Sequence, residues 1–172
     1  MATYKKGYKK ETSGQVLLKV IVGIIVAVLL IVAFAFIYDQ LTVTRSYDDF
    51  TKIDTYETIL SQEDTDGVLV PEYLVYFYSD TCTNCESIKA DALKLAEKLE
   101  KEGIVIYFVD IANTTDDDTF KDQFLLDIDE SSLKTPMVIS VINGTYEDKF
   151  IGTDDVISVL TDVLNGDYAP FN

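Results

Sequence analysis

The chain holds 172 residues, 48% of them hydrophobic, with 14 Lys and Arg against 30 Asp and Glu, a formal charge of −16, two Cys, and neither His nor Trp. Without histidine there is no Ser-His-Asp triad, no Cys-His pair and no imidazole metal site, and an acidic chain of this kind argues against nucleic-acid binding, which needs clustered Lys and Arg. The length accommodates about one ordinary domain plus an appendage.

The appendage comes first. Residues 1–19 carry five lysines (Lys5, Lys6, Lys9, Lys10, Lys19) and one acid, Glu11, a balance of +4, whereas residues 39–172 carry nine basic and twenty-nine acidic side chains, a balance of −20. Between them Val20 to Tyr38 is an uncharged apolar run of 19 residues, or 23 when Val16 to Lys19 is included with Lys19 snorkelling. As an α-helix such a run rises roughly 30 Å, the thickness of a hydrocarbon core. The expectation is a basic cytoplasmic tail over 1–15 and a transmembrane helix over 16–38. The positive-inside rule then puts everything after Tyr38 outside the cell membrane. A secretory signal peptide with a cleavage site at Ala33-Phe34-Ala35 is the competing reading. The apolar run continues through Phe36, Ile37 and Tyr38 with no helix-breaking residue, which favours an uncleaved anchor. Both readings export the acidic part.

Residues 39–66 read as a juxtamembrane linker and an amphipathic helix. Tyr47, Phe50, Ile53 or Asp54, Tyr56 and Ile59 or Leu60 recur at three- and four-residue steps behind Ser46, a suitable N-cap. The turn-forming stretch Ser61 to Gly67 ends it, and the core is expected over 67–172. Glu72 to Tyr78 is aromatic and β-branched, the composition of a buried strand. A helix follows Cys82-Thr83-Asn84-Cys85, with Ile88, Ala92, Leu95, Ala96 and Leu99 on one face and Gly103 at its end. Ile104 to Ile111 is a second buried strand, and Asp116 to Leu126 a short acidic helix with Phe120, Phe124 and Leu125 inward. Pro136 to Ile142 and Thr145 to Ile151 form a hairpin around Asn143-Gly144. Gly152 breaks it, and a capped helix runs from Thr153 to Leu164 with Val156, Ile157, Leu160, Val163 and Leu164 on the sheet.

The chemistry is concentrated at Cys82 and Cys85, three positions apart where a strand hands over to a helix. The first helical turn presents free N–H groups and the positive end of the macrodipole, which stabilise a thiolate on the first cysteine. Cys82 would attack and Cys85, one turn inside, would resolve the mixed disulfide. Three other readings stand beside this one: a structural disulfide, which in so short a loop removes little chain entropy; a zinc site, for which two thiols without His are too few ligands; and two incidental buried cysteines. The placement of the only two cysteines at this junction favours exchange chemistry.

From residue 46 to about 165 the sequence resembles the thioredoxin superfamily. The landmarks are the aromatic strand into Cys82-Thr83-Asn84-Cys85, a second strand ending Val109-Asp110, Thr135-Pro136 before the next strand, and Asn143-Gly144 with Gly152 around the last hairpin. The resemblance implies an α/β, three-layer fold with a mixed central sheet. It further implies a cis proline at Pro136 lying against the cysteines, with Thr135 and Pro136 in contact with substrate backbone. An ordinary trans proline opening a strand is the alternative.

The departures from the family pattern are Thr81 in place of tryptophan, Thr83-Asn84 between the cysteines, and Tyr76 where many relatives carry a buried carboxylate. Asp80 and Glu86 flank the pair and oppose the helix dipole, so a mildly acidic or near-normal Cys82 thiol is expected. With its anchor, the chain is similar to membrane-tethered, cell-surface thioredoxin-like proteins of Gram-positive bacteria, including those described as bacteriocin transport accessory proteins.

The expected function is thiol–disulfide exchange on exported proteins, without organic cofactor or metal, recycled by a membrane redox partner. The alternative is a non-catalytic thioredoxin-fold accessory module in a membrane or export assembly. Asp116 to Asp118 and Asp127-Ile128-Asp129-Glu130 lack EF-hand spacing and read as solvated helix starts and loops. Asn113-Thr114-Thr115 and Asn143-Gly144-Thr145 match the glycosylation pattern, the second already explained by its turn.

Overall fold

In the computed structural model the described residues are 13–42, 45–115 and 118–171. The lysines at 5, 6, 9 and 10, and Asp116 and Asp117 of the acidic run, lie outside them. The chain divides into residues 1–44 and a folded unit from Arg45 to Asn172. The first contains helix α1, Ser13–Thr42, which overruns the expected 16–38 span at both ends. Helix propagation adds a hydrogen bond for each residue fixed, so an apolar helix extends into flanking polar sequence. Leu17–Phe34 is long and apolar enough to cross a membrane, and none of that window is buried.

In the folded unit, strand β1 (Glu72–Tyr78) leads into helix α2 (Thr83–Lys101), then β2 (Val105–Asp110), α3 (Asp118–Asp127), β3 (Met137–Ile142), β4 (Thr145–Ile151) and α4 (Thr153–Asn165). The sheet order is β2-β1-β3-β4, with β1 and β2 parallel and the other pairs antiparallel. Because strand side chains alternate faces, β1 builds two cores. Leu74, Tyr76 and Tyr78 pack with α2 and α4, while Tyr73, Val75 and Phe77 pack with Phe124 of α3. The result is a mixed sheet between helical layers, the thioredoxin-like arrangement that the sequence resemblance implies.

The helix expected behind Ser46 does not form. Ser46 does cap, with its hydroxyl accepting from the Asp48 N–H and its own N–H donating to the Asp49 carboxylate, yet only a 3₁₀ turn over Tyr47–Asp49 follows. The apolar positions Tyr47, Phe50, Ile53, Tyr56 and Ile59 step strictly by three, so on an α-helix they would drift round the axis instead of forming one stripe. As an irregular strap they serve both cores, Tyr47 and Phe50 joining the α2–α4 side and Ile53, Tyr56 and Ile59 the α3 side. The strap crosses the free edge of β2, where Phe108 N–H donates to Thr51 O and Ile53 N–H to Phe108 O, both at 2.9 Å. The middle of an edge open to strand addition is thereby occupied.

Two smaller expectations are corrected. Phe120, on the first turn of α3, is 38% exposed rather than inward. Helix α4 starts at Gly152 with no side-chain cap hydrogen bond; Asp154 and Asp155 in its first turn offset the exposed N–H groups instead.

At the β3–β4 turn both residues are left-handed, Asn143 at φ 50° and Gly144 at φ 75°, as a two-residue I′ hairpin requires. A Cβ on Gly144 would also sit 3.2 Å from the Leu60 carbonyl oxygen on the strap. Gly144→Ala is therefore expected to lower stability by about 1–2 kcal/mol in urea unfolding. An unchanged midpoint would show that the turn relaxes freely.

Candidate active site

The two cysteines meet at the mouth of the sheet. Beyond β1 the backbone turns at Ser79, whose carbonyl accepts from the Cys82 N–H at 3.1 Å and whose hydroxyl lies 3.0 Å from that of Thr81. Cys82 is the N-cap residue of α2, half-buried, and Cys85 one turn on is 1% exposed. They form a disulfide with Cα atoms 5.2 Å apart. The Cys85 N–H donates to Cys82 Sγ at 3.1 Å. A first-turn amide that would otherwise be orphaned thus points at the outer sulfur, where the macrodipole also favours negative charge.

The Thr135–Pro136 peptide bond is cis, and the Thr135 carbonyl oxygen stands 3.3 Å from Cys82 Sγ, a contact that becomes a hydrogen bond when that sulfur carries a proton. Thr135 is half-buried and Pro136 buried, with the Pro136 carbonyl accepting from the Gly152 N–H at 2.9 Å. The structure therefore brings Cys82, Cys85, Thr135 and Pro136 to one corner. Among the described residues no group of three or more His, Cys, Asp or Glu side chains is placed to hold a metal.

Two supports of this corner are invisible in the sequence. Lys149 on β4 donates to the Ile128 and Asp129 carbonyls at 2.8 and 2.9 Å and pairs with Glu130 at 2.8 Å, fixing the loop that leads to Thr135. Glu130, expected in a solvated loop, is thus half-buried and doubly paired, with Lys134 also 2.8 Å away. Hydrogen bonds from Lys134 and Lys149 hold its carboxyl below the usual carboxylate range. On the other side Tyr47 stacks on Tyr78 with ring centroids 3.8 Å apart, and the Lys89 ammonium sits 4.9 Å from the Tyr47 centroid. The strap thereby packs against the first turns of α2. Chain separations of this size leave no trace in local periodicity.

Tyr76 is fully buried beside Tyr47, and burial raises both phenols, Tyr47 to about 12. Among the described residues neither buried hydroxyl has a hydrogen-bond partner. Both stay protonated at neutral pH, so neither supplies a charged base to the inner thiol.

No family model matches the sequence, and no curated protein matches it. Solved structures do. Over 71% of its length the chain is similar to mitochondrial thioredoxin 3 of Saccharomyces cerevisiae in its oxidized form, covering 99% of that chain at 17% identity and a TM-score of 0.49. A thioredoxin of Malassezia sympodialis is matched at 17% identity over 68% of this chain and 89% of that one, with a TM-score of 0.48. A Plasmodium falciparum thioredoxin is matched at 17% identity over 67% of this chain and 97% of that one, with a TM-score of 0.46.

Proposed function

We propose that the chain is a membrane-tethered thiol–disulfide oxidoreductase acting on exported proteins, of the extracytoplasmic Gram-positive kind that its sequence resembles. The observation that carries this reading is the Cys82–Cys85 disulfide at the N-terminus of α2, its outer sulfur half-buried and its inner one enclosed. Asymmetric access supports attack by Cys82 and resolution by Cys85. In the reducing direction the Cys82 thiolate bonds to one sulfur of a substrate disulfide, the substrate S–S bond breaks, and its other sulfur leaves as a thiolate. Cys85 gives its proton to solvent and attacks Cys82, expelling the second substrate sulfur. Two electrons pass to the substrate, and the Cys82–Cys85 bond re-forms. The oxidising direction is the reverse. Thr135 and Pro136 would contact the substrate chain beside the reacting sulfur.

The apolar α1 supports tethering, and the excess of lysine before it supports an outward-facing domain. The direct test uses the full chain in nonionic detergent with dithiothreitol as reductant and a disulfide-bonded protein as substrate. Accelerated reduction is expected, together with retention in an alkali-washed membrane fraction. No acceleration over dithiothreitol alone would overturn the catalytic reading, and release by alkali the tethered one.

A further inference from the structure

Between them α2 and α4 leave an open groove of about 430 Å³ whose apolar lining is Ile88 and Ile157 and whose acidic lining is Asp154 and Asp162. Two chain links lead from it to the redox corner. Ile88 is one turn beyond Cys85 and packs on the same core as Cys82. At the other wall, Thr153 follows Gly152, whose N–H holds the Pro136 carbonyl.

Acidic groups outnumber basic ones in the groove and the adjoining turns. Asp80 precedes the cysteines, Glu86 follows them, and Asp155 stands beside Asp154, all exposed. Lys89 is engaged with Glu86 at 3.7 Å and with the Tyr47 ring. Among the described residues no Lys or Arg forms an ion pair with Asp80, Asp154, Asp155 or Asp162. Asp154 and Asp162 accept only from the neighbouring hydroxyls of Thr153 and Ser158, each at 3.3 Å. A cleft whose unpaired charges are acidic and whose walls are apolar concentrates ligands of the opposite sign.

We infer that this groove selects cationic, disulfide-bearing polypeptides. An apolar side chain next to the substrate cysteine seats between Ile88 and Ile157, and Lys or Arg side chains of the same segment meet Asp154 or Asp162, which lie eight residues apart on α4. The inference rests on the redox reading above and adds the class of substrate. Its test compares two peptides with the same internal disulfide and an isoleucine beside the cysteine, one flanked by lysines and the other by glutamates. Both are reduced by the full chain in nonionic detergent with dithiothreitol.

At low salt kcat/KM is expected to be about tenfold higher for the lysine peptide, the ratio falling towards one near 0.5 M salt. The acidity of the whole unit would give a general preference of this kind, so variants locate it. Asp154→Asn combined with Asp162→Asn should cut the lysine-peptide value about three- to tenfold and raise that of the glutamate peptide. Ile88→Ser should weaken both peptides, by about threefold or more. Equal wild-type rates at low salt, or a ratio unaltered in the double variant, would overturn the groove assignment. Reduction of neither peptide would instead overturn the redox reading beneath it.

Discussion

Cys85→Ala is expected to accumulate mixed disulfides with substrate that dithiothreitol dissolves, whereas Cys82→Ala forms none and loses exchange by at least about a thousandfold. The asymmetry follows from position. Cys82 caps α2 at the surface with an amide aimed at its sulfur, while Cys85 is 1% exposed and out of reach of a protein disulfide. Removing the outer sulfur removes the nucleophile; removing the inner one leaves the covalent complex with no internal group to release it. The measurement is non-reducing electrophoresis after quenching with a thiol alkylating agent, beside the turnover rate.

The same variants separate exchange from a structural disulfide. The ring closed by residues 82 to 85 restricts the unfolded chain by about 2 kcal/mol in the loop-entropy account, so either variant should melt only roughly 5–10 °C below the oxidised protein. Trapping by Cys82→Ala as efficient as by Cys85→Ala would reverse the assigned roles. Full exchange by a variant lacking both sulfurs would leave a binding module as the remaining function.

Phe108→Ala is expected to lower the stability of the folded unit by about 3–5 kcal/mol, a large share of what a domain of this size possesses. The ring is fully buried and lies 4.7 Å from Phe50, 5.2 Å from Tyr76 and 5.9 Å from Tyr47, centroid to centroid. Its backbone is also the point at which the strap pairs with β2. Deleting it opens a cavity between sheet and strap that aromatic neighbours, held on two separate segments, fill poorly. Chemical unfolding followed by tyrosine fluorescence measures the effect. A loss below about 1 kcal/mol would show that the strap is not packed as a fixed part of the core.

Much of this architecture was open to reading along the chain because its causes are local. Strand β1 spans the aromatic run Glu72–Tyr78, α2 ends just before Gly103, and the I′ turn sits at Asn143-Gly144, each governed by propensity, periodicity or backbone freedom within a few residues. The cysteine pair was legible for the same reason, since a strand-to-helix junction gives a thiol its electrostatic setting from neighbouring backbone amides. The strap is the exception, because apolar residues at three- and four-residue steps suggest a helix while those that become buried step strictly by three. Its apolar side chains answer to two cores on opposite faces of the sheet, and no local pattern records which core each one joins.

Composition and periodic order alone settled the apolar helix, the alternation of strands and helices, and the strand-to-helix junction that holds both cysteines. Closure of the sheet settled the rest. It set the Thr135 carbonyl against Cys82 across 53 residues, brought Lys149 under the loop before Pro136, and opened the acidic groove between α2 and α4. These contacts join side chains that meet only after distant segments have paired. Their energy arises from burial and charge compensation in three dimensions, which residue order encodes jointly rather than segment by segment.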